Sequence, residues 1–317
     1  MSTLTCSDAE LQSLLNTREL IAALRAAFAE GFANVRMPQR LQVELNPGSL
    51  LIMPCRISGE PICGVKIVNV SPQARPGGRV KASYLLLDSN SGETIAFFHA
   101  NYLTDLRTAA TTAVATDALA RPDASILGIF GTGRQAAAHV AVLPLVRRFR
   151  RILVSGSTRD KANAFAHRMR VLRGLDVEAV DPDTCASDSD VICTCTSAVE
   201  PIFAGELIRP GTHLNLIGTF QPHAREADAV AVRRARVFVD TYEGAFTEAG
   251  DILMPLRSGE ISREHVRGDL HELLTNKAPA RTRREDITLF KSVGCGLEDL
   301  VAARLVLQAL QNRALTQ

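Results

Sequence analysis

This chain of 317 residues has no apolar run long enough to span a bilayer. Its first residues, Met1-Ser-Thr-Leu-Thr-Cys-Ser-Asp8, lack the charged start and apolar stretch of a secretory signal, so export is not expected. A large excess of charge of either sign is also missing, with 36 Lys and Arg against 34 Asp and Glu. A net charge of +2 gives no general pull towards nucleic acid or a membrane surface, and neither partner is expected. The basic runs Arg147-Arg148 with Arg150-Arg151, and Arg233-Arg234 with Arg236, carry no aromatic alternation of the kind that stacks bases. They read as solvated helix ends and loop edges. The seven cysteines are an odd number without zinc-type paired spacing, and Cys193-x-Cys195 falls in an apparent buried strand. Free core thiols in a reducing cytoplasm, and no metal site, are the expectation. There is no internal repeat and no low-complexity tract.

What is present is core-forming sequence. With 46% hydrophobic and 22% charged residues, the chain suits sizeable cores, and its length suits two domains or one elaborated domain. Ser7-Asp-Ala-Glu10 has the form of a capping box, followed by Leu20, Leu24, Phe28 and Phe32 at helical spacing. After Pro38, strand patterns take over at 41–45, 50–55, 61–70 and 83–88, the last expected to pair with 94–99 across a turn. An Ala/Thr-rich helix runs from about Thr104 to Ala120. From Ser125, apolar runs at 126–130, 152–155, 177–180, 191–194, 214–217 and 237–240 alternate with helical or turn segments. That alternation is the signature of a doubly wound parallel sheet. A last helix, about 297–312, carries Leu300, Ala303, Leu307 and Leu310 on one side and is expected to return to the first domain.

The stretch from Ser125 to His139 reads as a short strand, a Gly-x-Gly-x-x-Ala turn at Gly131, Gly133 and Ala136, and the start of a helix. Small residues there let N–H groups at a positive helix end approach a dinucleotide pyrophosphate. An ordinary tight turn is the alternative. In the dinucleotide reading Thr132, Arg134 and Gln135 belong to the same turn, with Thr196 and Gly218 as further cofactor candidates at the ends of later strands. An acid at the tip of the second strand would hold the ribose hydroxyls of NAD. The tip instead reads Val154-Ser-Gly-Ser-Thr-Arg-Asp160, offering Ser155, Ser157, Thr158 and Arg159. Hydroxyls and a guanidinium suit a 2′-phosphate, so NADPH is expected, with NADH the alternative. Asp160 is explained as an acid in a helix first turn, and Arg159 could otherwise point into solvent.

Two cations are out of place. Alternation along Pro61-Ile-Cys-Gly-Val-Lys-Ile-Val-Asn-Val70 puts Lys66 on the face of Ile62, Val68 and Val70, where it must snorkel out or meet an anion. Arg107 lies in a helix with almost no other charge. It is either paired with Asp105 or another acid, or it is a carboxylate clamp.

With these residues goes a set of longer matches: Pro38-Gln-Arg40, Met53-Pro54, Gly64-Val-Lys-Ile-Val68, Leu106-Arg-Thr-Ala-Ala110, Gly131-Thr-Gly133, Glu248-Ala-Gly-Asp251, Asn276-Lys-Ala-Pro279 and Ile287-Thr-Leu-Phe-Lys-Ser-Val-Gly294. Over nearly its whole length the chain resembles the ornithine cyclodeaminase/mu-crystallin family. The resemblance implies an α/β fold in which a Rossmann doubly wound parallel sheet, 121–292, is inserted into an α+β substrate-binding and dimerisation domain, 1–120 plus 293–317. It implies a homodimer, and imine reduction or amino-acid deamination with NAD(P). The family's carboxylate-binding cations fall on Arg40, Lys66 and Arg107, with Lys66 and Arg107 also in catalytic roles. Thr108 and Ser292 match positions near cofactor or substrate.

Two departures narrow the activity. Members that cyclise ornithine carry a glutamate where this chain has Leu51 and an aspartate where it has Phe220. Ornithine's distal ammonium must lose a proton before it can attack an imine, and neither side chain can take it. The expectation is therefore NADPH-dependent reduction of a small cyclic ketimine carboxylate, Δ1-pyrroline-2-carboxylate or its six-membered homologue, with Phe220 shaping the ring pocket. Ornithine cyclodeaminase, alanine dehydrogenase and a non-catalytic ligand-binding protein remain as alternatives. Among the weaker candidates, His139 reads as a packed histidine, while His213 and His223 flank a strand. Asp299 either faces the site or is an acid in a helix first turn.

Overall fold

Ser7 caps the first helix, α1 (Asp8–Leu14), as its spacing predicts: its N–H donates to Glu10 at 2.8 Å and its hydroxyl accepts from the Glu10 N–H at 3.3 Å. Asn16 then caps a second helix, α2 (Thr17–Glu30), in which Leu20, Leu24 and Phe28 are fully buried. Gly31 ends α2, so Phe32 falls outside the helix that the apolar spacing suggests.

The computed structural model describes residues 3–71 and 80–315. The chain forms two units, one of Met1–Thr111 with Cys295–Gln317, the other Thr112–Gly294. The sequence boundary at 120/121 follows the long helix, α3 (Asn101–Leu119), whereas the division falls inside it. Nothing in that Ala/Thr-rich stretch breaks a helix, which is why the boundary carries no local sign.

In the first unit the strands are β1 (Leu4–Cys6), β2 (Val35–Arg36), β3 (Leu41–Leu45), β4 (Gly48–Ile57), β5 (Ile62–Val70), β6 (Val80–Asp88) and β7 (Thr94–His99). They run in the order β1-β7-β6-β5-β4-β2, with β3 also paired to β4. All pairs are antiparallel except β1 with β7. Alternation buries one face, including Leu51 and Met53 of β4, Val68 of β5, Leu86 of β6 and Phe98 of β7. The C-terminal helix, Gly296–Leu315, packs on α2, β4 and β5, as expected for its return to this unit.

The second unit is built on eight strands, β8 (Ile126–Phe130), β9 (Arg151–Ser155), β10 (Val177–Ala179), β11 (Val191–Thr194), β12 (His213–Leu216), β13 (Ala235–Val239), β14 (Val266–Asp269) and β15 (Ile287–Lys291). They are parallel throughout, in the order β10-β9-β8-β11-β12-β15-β13-β14. This is the Rossmann-type sheet the alternation predicts. Two strands escape the pattern: β14 is only Val-Arg-Gly-Asp, and β15 carries Thr288 and Lys291 within five residues. Both polar side chains of β15 are fully buried, which periodicity cannot anticipate. No helix among the described residues is long and apolar enough to cross a membrane.

Candidate functional site

Because the second sheet is parallel, its strands all end at one edge. Five neighbours, β9-β8-β11-β12-β15, each carry a cofactor candidate at or within two residues of that end: Ser157, Gly131, Thr196, Gly218 and Ser292. The strand β8 sits between β9 and β11, where the winding reverses, and such a switch point is where open α/β sheets take ligands.

The two turn glycines serve different needs. Gly131 has φ +113°, and a Cβ there would lie 2.6 Å from the Cys195 carbonyl oxygen, so the protein itself requires glycine. Gly133 has φ −85°, is exposed, and its Cβ would meet nothing within 4 Å. It nevertheless caps α4 (Arg134–Val142) with no side-chain hydrogen bond. A helix start left without a capping side chain, behind a glycine only a ligand would need, fits a dinucleotide phosphate. Thr132, Arg134 and Gln135 stand half-buried around it, and Ala136 is buried.

At the tip of β9, Ser155 is buried and its carbonyl accepts from the Gly131 N–H at 2.8 Å. Ser157, Thr158 and Arg159 are exposed. Thr158 caps α5 (Arg159–Arg173), accepting from the Lys161 N–H at 3.3 Å. The Lys161 ammonium reaches back to the Ser157 hydroxyl at 3.2 Å. Lys161 is a second cation at the tip that strand-end reading misses, because only the helical turn brings it there.

Buried carboxylates brace the same edge. Glu226, fully buried, accepts from the Thr196 N–H at 2.8 Å and hydroxyl at 2.7 Å with Oε1, and from the Thr194 hydroxyl and Gly218 N–H, both at 2.7 Å, with Oε2. Burial pushes its carboxyl pKa up, against the pull of Lys291. Asp251 accepts from the Glu226 and Ala227 N–H groups and pairs with Lys291 at 2.9 Å, while Lys291 donates to the Thr219 carbonyl at 2.6 Å. The loop carrying Phe220 is thereby pinned, and Phe220 packs half-buried against the core of the second unit. Asp240 accepts from the Ser292 hydroxyl at 2.9 Å and from the Val293 and Gly294 N–H groups at 2.8 and 2.7 Å.

In the first unit, both misplaced cations are buried and they share a partner. Lys66, 1% exposed, has its ammonium 2.8 Å from each oxygen of Asp299. The Arg107 Nε donates to Asp299 at 2.9 Å and its Nη1 to Glu298 at 2.6 Å. Burial, then Arg107, pull the Lys66 pKa down to about 8, with Asp299 opposing. Burial also works against the Arg107 charge, but Asp299 and Glu298 more than offset it and hold its pKa above the ordinary value. Arg107 thus pairs with acids, though ones 191 and 192 residues further along rather than the neighbouring Asp105. Arg40 stands half-buried at the start of β3; Leu41 pairs with Ile52, and the next residue of β4, Met53, pairs with Lys66. Thr108 is buried, its hydroxyl donating to the Thr104 carbonyl at 2.8 Å. Leu51 is 2% exposed on β4.

Of the weaker candidates, Asp299 is the one the fold brings to the cations. The signal available was Glu298-Asp299 side by side between Leu297 and the apolar run Leu300-Val-Ala-Ala303 at the start of the last helix. His213 is buried with its pKa lowered to about 3 by burial, neutral between Thr288 and Asn215. His139 has Nδ1 2.7 Å from the Gln135 carbonyl and Nε2 3.0 Å from the Thr112 hydroxyl, as a packed histidine should. It also gathers with Cys193 and Cys195 so that the three possible ligand atoms lie within 4.8 Å of one another, a grouping sequence spacing hides.

A parallel sheet with a dinucleotide turn at its switch point, joined in one chain to a unit with a buried lysine–arginine pair, defines a dinucleotide-dependent enzyme of two units. The chain belongs to the ornithine cyclodeaminase/mu-crystallin family, whose sequence pattern matches residues 1–314. It is 33% identical to a Δ1-pyrroline-2-carboxylate reductase of Bacillus cereus, over 99% of this chain and 97% of that protein. It is 34% identical to the ketimine reductase mu-crystallin of Mus musculus, over 94% of both. The solved structure of Thermococcus litoralis Δ1-pyrroline-2-carboxylate reductase, in complex with NADH and L-proline, matches with a TM-score of 0.94 at 32% identity, over 98% of each chain.

Proposed function

We propose that this chain reduces a small cyclic ketimine carboxylate, Δ1-pyrroline-2-carboxylate or Δ1-piperideine-2-carboxylate, to L-proline or L-pipecolate with NADPH. The observation that carries this reading is the buried pair Lys66 and Arg107, held by Asp299 and Glu298 in a family of imine reductases and deaminases. Arg107 and Arg40 hold the substrate carboxylate, and Lys66 adds charge beside them. Gripping a planar substrate in one orientation supplies much of the rate, because hydride transfer is chiefly a positioning problem. The bound nicotinamide supplies the hydride. The cofactor candidates at the strand ends of the second unit hold it. The preference for NADPH rests on the tip of β9, where Arg159 and Lys161 stand with Ser157.

Apolar side chains at Leu51 and Phe220 leave no carboxylate at the positions an ornithine cyclodeaminase uses. A homodimer through the first unit is supported by β3, where Leu41, Val43 and Leu45 on one side of the strand are 59%, 41% and 40% exposed. Seven free cysteines suit a reducing cytoplasm.

The test is NADPH oxidation with each imine, alongside ammonia and proline release from L-ornithine with NAD. Imine-dependent oxidation with inert ornithine is expected. Ornithine turnover without net cofactor consumption would overturn the reductase reading.

A further inference from the structure

The cluster in the first unit is charge-balanced before any ligand arrives: two cations, Lys66 and Arg107, against two carboxylates, Glu298 and Asp299. The two acids are not equivalent. Glu298 is committed to Arg107 through Oε2 at 2.6 Å and accepts from the Cys295 N–H through Oε1 at 3.1 Å. Asp299 alone reaches both cations, at 2.8 Å from Lys66 and 2.9 Å from Arg107. It is the bridge that lets two like charges stand together in a dry interior.

The other groups facing Lys66 give it little help. From α3, Arg107 repels it, and from the C-terminal helix Glu298 supports it only weakly beside Asp299. From β6, its cross-strand partner Tyr84 is neutral, its pKa pushed well up by burial and by Asp299. The Tyr84 hydroxyl has no hydrogen-bond partner among the described residues. From β4, the Cys55 thiol is neutral too, its pKa raised to about 12 by burial and Asp299. Cys63, on the same strand as Lys66, is half-buried. Among all these groups Asp299 is the principal support of the lysine's charge.

We propose that Asp299 is a positioning residue for the reaction: it keeps Lys66 charged and aligned with Arg107, so that the site grips a carboxylate only while that pairing holds. The inference rests on the carboxylate-site reading given under Proposed function. Its consequence is a break in affinity. Below about pH 8 Lys66 is charged and the carboxylate is held; above it, Lys66 gives up its proton and the grip weakens. Removing the Asp299 charge moves that break to lower pH, because burial and Arg107 then act on Lys66 with only Glu298 opposing.

The experiment is calorimetric titration of the full chain with pyrrole-2-carboxylate, a planar carboxylate that cannot accept hydride, from pH 6 to 9.5 in buffers of different ionisation heat. In the unsubstituted protein the affinity should be flat below pH 8 and fall towards tenfold per pH unit above it, with a proton taken up on binding. Asp299→Asn should weaken binding at pH 7 at least tenfold and move the break down by a pH unit or more, with Asp299→Glu restoring part of the affinity. In turnover, Asp299→Asn should raise KM for the imine far more than it lowers kcat. An unchanged break in a folded Asp299→Asn variant overturns the proposal. Should that variant not fold, flat affinity without proton uptake in the unsubstituted protein overturns it equally. No binding at any pH would remove the carboxylate-site reading itself, whereas binding without a break removes only the role of Asp299.

Discussion

Gly218 donates its backbone N–H to the Glu226 carboxylate at 2.7 Å, and a Cβ on Gly218 would collide with that same carboxylate and with the Thr196 carbonyl. One buried acid therefore fixes the ends of β11 and β12 against each other, and glycine is what lets them come so close.

Glu226→Gln should test this brace. An amide presents two donors where the carboxylate accepts four, so at least one N–H or hydroxyl is left facing another donor. A loss of about 2–4 kcal/mol in unfolding free energy is expected. Dinucleotide affinity should fall with it, by roughly tenfold for each 1.4 kcal/mol lost at the strand ends. Denaturant unfolding and calorimetric cofactor binding measure the two effects. An unfolding midpoint equal to that of the parent protein would mean the network contributes nothing.

The glycines of the turn allow a sharper comparison. Gly131→Ala is strained by its φ of +113° and by contact with Cys195, and should lose about 1–3 kcal/mol of stability as well as cofactor binding. Gly133→Ala meets open space and an ordinary φ, so its stability should stay within about 0.5 kcal/mol of the parent while dinucleotide affinity drops. If Gly133→Ala binds NADPH as the parent does, the phosphate does not approach that glycine.

The fold was legible from the sequence where periodicity is local. The capping box at Ser7, the β6–β7 pairing and six strands of the parallel sheet all follow from spacing within a dozen residues. What escaped depends on long-range partners. Strand β15 hides because Lys291 looks like a surface residue until Asp251 and the Thr219 carbonyl are beside it. The boundary inside α3 hides because the helix is continuous across it. At the candidate site, Lys66 and Arg107 stood out as charges in apolar surroundings, but nothing in their spacing points to Asp299 over 190 residues away. Glu226 carries no sign in the sequence, because its role as a brace comes from the turn that brings its carboxylate back to the Gly218 N–H.

Cofactor choice should move with the tip of β9. Ser157→Asp places a carboxylate beside Lys161, where it repels a 2′-phosphate and offers an acceptor to ribose hydroxyls. The ratio of kcat/KM for NADPH over NADH should fall at least tenfold. Lys161→Ala should lower the same ratio by a smaller factor, with NADH constants unchanged. A ratio that neither substitution moves would place the 2′-phosphate elsewhere.

Stability should carry the mark of Lys66. Its pKa is about 8 in the folded protein against 10.5 when solvated, so between those values the unfolded chain binds more protons and stability rises with pH. Cys55 acts in the opposite sense, but only above 9.0, because its thiol is raised from 9.0 to about 12 on folding. The clean window therefore lies between about pH 8 and 9. From pH 7 to 9 the lysine should add roughly 1 kcal/mol to the unfolding free energy. Lys66→Met removes the titrating group, so the gain should disappear from its urea unfolding curves at the two pH values. The same variant should lose about a hundredfold or more in kcat/KM for the imine, since a buried charge partner of the carboxylate is worth several kcal/mol. A Lys66→Met protein that keeps the alkaline gain would assign that gain to another group, and one that keeps full turnover would remove Lys66 from the site.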